Sequence, residues 1–187
     1  LKNLVVHYID VGQADSIFIE LPNSETLLID AGNEENGPQI VNYIKALGYN
    51  KINYLVATHP HADHIGGMAY VVNNLTIGTI YMPKVATTTQ TYADLLTAIA
   101  SKGLTVTTAK AGVSLININD FKVVMLAPNK DQYDDLNNYS AVIKITYKNN
   151  SFLFMGDAEE LSENEITGDV SADVLKVGHH GSSSSTG

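Results

Sequence analysis

Short apolar runs broken by turn residues set the rhythm of the chain. Leu4 to Ile9 is apolar and rich in β-formers, and Gly12-Gln13-Ala14-Asp15 interrupts it. Ser16 to Leu21 alternates as a strand does, Pro22-Asn23-Ser24 turns, and Thr26 to Ile29 leads into Asp30-Ala31-Gly32. These runs predict a β-meander. Asn33 to Pro38 reads as a polar loop. Ile40, Val41, Ile44 and Leu47 then recur at helical spacing up to a stop at Gly48.

Ile52 to Ala57 predicts a strand, and Thr58 opens a histidine-rich loop. Gly66-Gly67 leads into a short helix through Val71-Val72, and Thr79 to Met82 is a strand before Pro83. Tyr92, Leu95, Leu96, Ile99 and Ala100 mark an amphipathic helix closed by Gly103. Strands are expected at Leu104–Thr108, Ser114–Ile118 and Phe121–Leu126, with Pro128 to Asn138 a loop. Ala141–Tyr147 and Ser151–Met155 flank the hairpin signal Lys148-Asn149-Asn150. A short helix near Glu159–Glu165 precedes a strand at Val174–Val177. Strands and helices mixed in this order suggest an α+β chain with two sheets packed face to face and helices outside. The run Ser182-Ser183-Ser184-Ser185-Thr186-Gly187 has a flexible composition, and further sequence is expected beyond it.

The 187 residues suffice for one domain with a buried core, expected over 1–187. No apolar run approaches the roughly 18 residues of a membrane span, so no membrane segment is expected in this chain. Cysteine is absent, which excludes disulfides and thiolate ligands. Any metal must be held by imidazole and carboxylate. Acidic residues number 20 against 11 basic ones, for a net charge of -9, and every basic residue is Lys. Without Arg there is no bidentate fork for phosphate, and a polyanion such as long nucleic acid is a disfavoured ligand.

Five of the six histidines fall in two clusters, each after an expected strand. In His59-Pro60-His61-Ala62-Asp63-His64, His59 and His61 can turn both rings toward one ion, and Asp63 with His64 can reach a second. Imidazole and carboxylate suit Zn²⁺, Mn²⁺ or Fe²⁺. A solvated loop would explain one histidine, but it is a poor account of three histidines and an aspartate within six residues. Asp157, at the end of an apolar strand and after Gly156, reads as a carboxylate bridging two cations; its bland alternative is a helix N-cap. In Gly178-His179-His180-Gly181, one histidine could complete the second metal and the other could donate a proton to a leaving group. The alternative is a glycine-flanked surface turn. Asp30 is either a turn former or an acceptor that orients a metal-bound imidazole. Asn137-Asn138-Tyr139-Ser140 reads as a turn, with substrate contact or weak ligation as its functional option. His7 receives no role.

These motifs resemble the metallo-β-lactamase superfamily. The matching pieces are Asp30 in Leu-Ile-Asp-Ala-Gly, the Thr58-His59-Pro60-His61-Ala62-Asp63-His64 loop, Gly156-Asp157 and the late histidine pair. Tyr8-Ile9-Asp10-Val11-Gly12-Gln13-Ala14-Asp15-Ser16 and His179-His180-Gly181-Ser182 resemble its ComEC-type branch, which includes DNA-uptake hydrolase domains and phosphorylcholine esterases. The resemblance implies a four-layer αββα sandwich whose last elements are expected beyond this sequence. It implies His59 and His61 on one metal, Asp63 and His64 on a second, Asp157 bridging, and one further ligand from the late pair, with His179 favoured over His180. No third histidine for the first metal occurs between His64 and His179; Asn138 lies where it would fall.

The expectation is a hydrolase that uses two divalent ions, zinc first and manganese second, to activate water against a phosphodiester. Asp63, Asp157 and His180 would be its catalytic groups. A small phosphoester or cell-wall phosphodiester suits the acidic chain better than DNA. The alternatives are a competence-type DNA nuclease and a non-catalytic, metal-stabilised binding module. By analogy with the branch, an extracytoplasmic or cell-surface location is expected.

Overall fold

The computed structural model describes residues 3–187; Leu1 and Lys2, the first two positions of the expected domain, lie outside the described residues. The fold is α+β with two sheets. Two compact units are distinguished: the chain up to Tyr81 together with Ala86–Thr107, and Met82–Val85 together with Thr108–Gly187.

The first unit is built on a six-stranded sheet of β1 (Val5–Tyr8), β2 (Ile17–Glu20), β3 (Thr26–Ile29), β4 (Lys51–Val56), β5 (Thr76–Met82) and β6 (Val106–Thr108), in that spatial order. β1, β2 and β3 form the antiparallel meander that the alternation predicts. β3, β4 and β5 run parallel. Every residue of β3 is buried, as expected for a parallel strand covered on both faces.

The helices of this unit are α1 (Gly37–Ala46), α2 (Ala62–Ile65), α3 (Met68–Asn74) and α4 (Gln90–Ser101). α1 buries Ile40, Val41 and Ile44 of the stripe read from the sequence, while Leu47, its fourth member, is the exposed C-cap; α1 packs on α3, which packs on α4. Thr89 caps α4 by accepting the Tyr92 N–H. The segment expected as a loop at Asn33 to Pro38 instead holds a 3-10 turn at Glu34–Asn36 and the start of α1, where Pro38 occupies the first turn. Proline there sacrifices no helical hydrogen bond.

The second unit carries five strands: β7 (Ser114–Ile118), β8 (Phe121–Ala127), β9 (Val142–Tyr147), β10 (Asn150–Phe154) and β11 (Val174–Lys176), in the spatial order β11-β10-β9-β8-β7. β7 to β10 are antiparallel neighbours, and β11 joins β10 in parallel. β8 alternates buried and more exposed positions. Leu153, Met155, Ala127, Val142 and Ala158 form a core cluster here. α5 (Glu160–Asn164) follows β10. Lys144 is buried in mid-strand, where its Nζ donates to the carbonyl and to Oδ2 of Asp169, both at 2.8 Å.

Functional turns are placed by parallel ladders that continue past the strand ends. In the first unit, Asp30 N donates to Val56 O at 2.9 Å, and Ala31 N to His64 O at 2.7 Å. In the second, Met155 N donates to Lys176 O at 3.3 Å, and His179 N to Gly156 O at 3.1 Å. Loops at the carboxyl ends of parallel strands are thereby locked pairwise, the usual place for ligands in such sheets.

Gly66 and Gly67 bring backbone against backbone beside the histidine loop. A Cβ on Gly66 would lie 2.4 Å from Glu34 N and 2.5 Å from Ala62 O; one on Gly67 would lie 2.3 Å from Ala31 O. Backbone cannot step aside as a flexible side chain can. Gly66→Ala is therefore expected to lower stability by about 1–3 kcal/mol, read as a lower urea midpoint at unchanged slope. A midpoint equal to wild type would show that the close approach is not a constraint.

Candidate metal centre

The first unit gathers one set of ligand-type side chains. β4 delivers Thr58 and His59 from the sheet, and the turn through Pro60 and α2 brings back His61, Asp63 and His64. Asp30, at the end of β3, is fully buried and adopts a left-handed backbone with φ 57°. Its Oδ1 accepts the Thr58 N–H at 2.8 Å; its Oδ2 accepts the Thr58 hydroxyl at 2.6 Å and His64 Nδ1 at 2.7 Å. Burial raises the Asp30 pKa, and the bonds from His64 and Thr58 pull it the other way. A carboxylate only accepts, so the His64 proton sits on Nδ1 and Nε2 is left with its lone pair.

His59 and His64 are completely buried. The His59 and His61 rings stand edge to face with centroids 4.7 Å apart, and those of His59 and His64 lie 4.2 Å apart. His59 Nε2 and His61 Nδ1 approach to 2.9 Å; His64 Nε2 and Asp63 Oδ2 to 3.6 Å. Two ligands on one tetrahedral ion, with metal–ligand bonds of about 2.0–2.2 Å, stand roughly 3.3–3.6 Å apart. The Asp63–His64 pair is at that separation, whereas the His59–His61 pair stands at hydrogen-bond distance. The donor set, imidazole and carboxylate without thiolate, fits a borderline or hard divalent cation.

Asp15, which carried no role in the sequence reading, braces this loop. Its N–H donates to Asp63 O at 3.2 Å, and its carbonyl accepts Gly32 N at 2.8 Å. Ligand-type atoms of Asp15, Asp30 and His64 lie within 4.8 Å of one another.

The second unit gathers another set. Asp157 is buried, and its N–H donates to the Ser140 hydroxyl at 3.0 Å. It is not the helix cap that its position allowed: the N-cap of α5 is Glu159. After β11 the backbone takes three successive left-handed residues, His179 (φ 42°), His180 (φ 52°) and Gly181 (φ 82°). Two of them carry a Cβ, and left-handed backbone costs roughly 1–2 kcal/mol for each such residue. Strain of this kind collects where side chains must be aimed.

The turn aims the two histidines differently. His180 Nε2 lies 3.5 Å from Asp157 Oδ2, again near the separation of two ligands on one ion. His179, the member of the pair favoured as a ligand on sequence grounds, places Nδ1 3.1 Å from Glu159 Oε1 instead. Neighbouring residues in a tight turn point apart, and residue order alone does not say which one meets the aspartate.

Asn138, expected near the first metal or the substrate, is buried with its Oδ1 accepting the Ser162 N–H of α5 at 3.2 Å. Its neighbour Asn137 donates through Nδ2 to Glu159 Oε1 at 3.3 Å. The Ser182–Gly187 run is tied down although its composition reads as flexible. Ser185 Oγ donates to Gly178 O at 2.9 Å, the Thr186 hydroxyl accepts Gly178 N at 2.8 Å, and Thr186 N donates to Glu163 Oε1 at 2.6 Å. Small hydroxyl side chains can bond the turn without filling it. Glu159, Ser140 and Asn137 were missed because each acts through another residue, and only the polar Asn137–Ser140 turn hinted at them.

Comparison with known proteins identifies the family. Residues 9–187 match the metallo-beta-lactamase superfamily. The chain is 29% identical over 202 residues to "ComE operon protein 3" of Bacillus subtilis (strain 168), covering 97% of this chain and 26% of that protein. It is 27% identical over 187 residues to "Recombination protein 2" of Haemophilus influenzae, covering 97% of this chain and 22% of that protein. The chain thus spans about a quarter of the length of these curated relatives. A solved metallo-β-lactamase structure from Cronobacter sakazakii shares the fold, with a TM-score of 0.52 and 21% identity over 80% of this chain and 58% of that one. The chain belongs to the metallo-β-lactamase superfamily.

Proposed function

We propose that the chain is a metal-dependent phosphodiesterase in which His59 and His61 serve one divalent ion, Asp63, His64 and His180 serve a second, and Asp157 bridges them. Superfamily membership supports the coarser statement, a metal-dependent hydrolase. The observation that carries the assignment is the geometry of two ligand pairs, Asp63–His64 and Asp157–His180, at 3.6 and 3.5 Å, with the His59 and His61 rings adjoining at 2.9 Å. His180 takes the ligand role because it faces Asp157, and His179 is released for work on the substrate. Zinc is the first choice for both positions and manganese the second.

Bound there, two divalent cations would supply Lewis acidity and a water that ionises near neutral pH. The protein's own part is to hold lone pairs ready. Asp30 keeps the His64 proton on Nδ1, so that Nε2 can act as a donor of electrons. The Ser140 hydroxyl fixes the Asp157 backbone, and Lys176 Nζ, donating to Gly156 O at 3.1 Å, holds the turn before it. His179 would meet the leaving oxygen through Nε2. With 11 Lys, no Arg and a net charge of -9, a small phosphodiester, such as a lipid or cell-wall head group, suits the chain better than a long polyanion.

A second reading, a nuclease, is favoured by the relatives, one of which is named a recombination protein. Single-stranded DNA binding that weakens steeply with salt, with cleavage in zinc or manganese, would select it over the head-group phosphodiester.

Elemental analysis and hydrolysis of bis-p-nitrophenyl phosphate with added Zn²⁺ or Mn²⁺ test the proposal. Wild type is expected to hold two ions and turn over; Asp157→Ala is expected to fold and lose turnover. Full activity in Asp157→Ala with metal retained would overturn the bridging assignment. His180→Ala is expected to lose one metal equivalent and His179→Ala none, and the reverse pattern would restore His179 as the ligand. Asp30→Asn should weaken the metal held by His64 about 10–100-fold, measured by competition with a chromogenic chelator; unaltered affinity would show that the His64 tautomer does not matter.

A further inference from the structure

Glu159 precedes a helix that its side chain does not cap. It occupies the N-cap of α5 with no side-chain capping bond, and glutamate is not among the favoured caps. The Glu160 N–H of the first turn is satisfied instead by Ser184 O, at 3.0 Å. The Glu159 carboxylate is therefore spent elsewhere, and one oxygen takes three donors. Oε1 accepts His179 Nδ1 at 3.1 Å, Ser184 Oγ at 3.0 Å and Asn137 Nδ2 at 3.3 Å. The Ser184 hydroxyl also lies 3.2 Å from His179 Nδ1. Asn137 is buried, which gives the carboxylate a rigid support on the side of the protein interior.

A departure from local preference that feeds a histidine beside an active-site motif points to function. The carboxylate can only accept, so it selects the His179 ring form with hydrogen on Nδ1. The left-handed backbone at His179 fixes where the ring starts; Glu159 fixes its rotation. The same arrangement, carboxylate to Nδ1 with Nε2 left over, occurs at Asp30 and His64 in the other unit. There it serves a metal ligand. Here the histidine is the one that does not face Asp157.

We propose that Glu159 is a positioning residue for the hydrolytic reaction: it holds His179 as the Nδ1–H tautomer, with Ser184 and Asn137 bracing the carboxylate, so that Nε2 keeps the lone pair that takes the proton of the attacking water and then hands it to the leaving oxygen. The kinetic half of this inference rests on the phosphodiesterase reading; the tautomer half stands without it.

The test uses the full chain with ¹⁵N-labelled imidazoles, metal-free and zinc-loaded, with the His179 signals assigned through His179→Gln. Long-range ¹H–¹⁵N correlation spectra are expected to show a protonated Nδ1 and an unprotonated Nε2 on His179 in wild type. In Glu159→Ala the two nitrogens should average or exchange roles. In Glu159→Gln, which keeps an acceptor oxygen, the wild-type pattern should persist. With bis-p-nitrophenyl phosphate, Glu159→Ala should lower kcat about 10–100-fold with KM little changed and zinc content intact, and Glu159→Gln should recover most of the loss. An unchanged His179 pattern in Glu159→Ala would overturn the proposal. So would zinc loss in that variant, an unaltered kcat, or a Glu159→Gln variant as slow as the alanine one. If wild type hydrolyses no phosphodiester, the functional reading fails while the nitrogen spectra still decide whether Glu159 sets the ring.

Discussion

A buried carboxylate bonded to a histidine is the interaction on which the first unit's chemistry depends. Asp30 has no water to solvate it, and an ionised carboxylate in such a place is strongly disfavoured unless donors surround it. Thr58 and His64 supply them. The parallel ladder of β3 and β4 makes this possible, because its register ends at Ile29 and Val56 and so brings Asp30 within side-chain reach of Thr58. His64 then comes within reach by closing the loop through α2. One hydrogen-bonded knot thus ties two strand ends and a helix start, and it turns His64 Nδ1 toward Asp30 and Nε2 toward Asp63.

The same logic recurs in the second unit with different parts. β10 and β11 are parallel, and their ends are cross-linked through Lys176 O and Gly156 O. Asp157 is held by its backbone on Ser140, and its carboxylate faces His180. Glu159 does for His179 what Asp30 does for His64. In both units the sheet provides placement and an acid bonded to Nδ1 selects the ring form of a motif histidine.

Much of this was legible in the chain. Period-two alternation marked β2, the Ile40–Ile44 stripe marked α1, and the crowding of His59, His61, Asp63 and His64 pointed to a candidate ligand set. The limits were physical as well. Adjacent histidines look alike in sequence, and only three consecutive positive φ values decide that His180, not His179, turns to Asp157. Glu159 reads as an ordinary helix-opening acid, because its partners stand 20 to 25 residues away. The serine run reads as slack, because hydroxyl-to-backbone bonds leave no hydrophobic trace. Asn138 reads as a ligand candidate from its place in the order of motifs, yet its amide is occupied with α5.

The left-handed run at His179, His180 and Gly181 also limits how this turn can drift. Branched side chains at the two histidine positions would meet their own backbone, leaving glycine, asparagine and aspartate as the easy substitutes. A chain that lost its chemistry here would relax toward those residues and gain stability by doing so. Two histidines in this conformation carry a backbone cost of roughly 1–2 kcal/mol each that glycine would avoid.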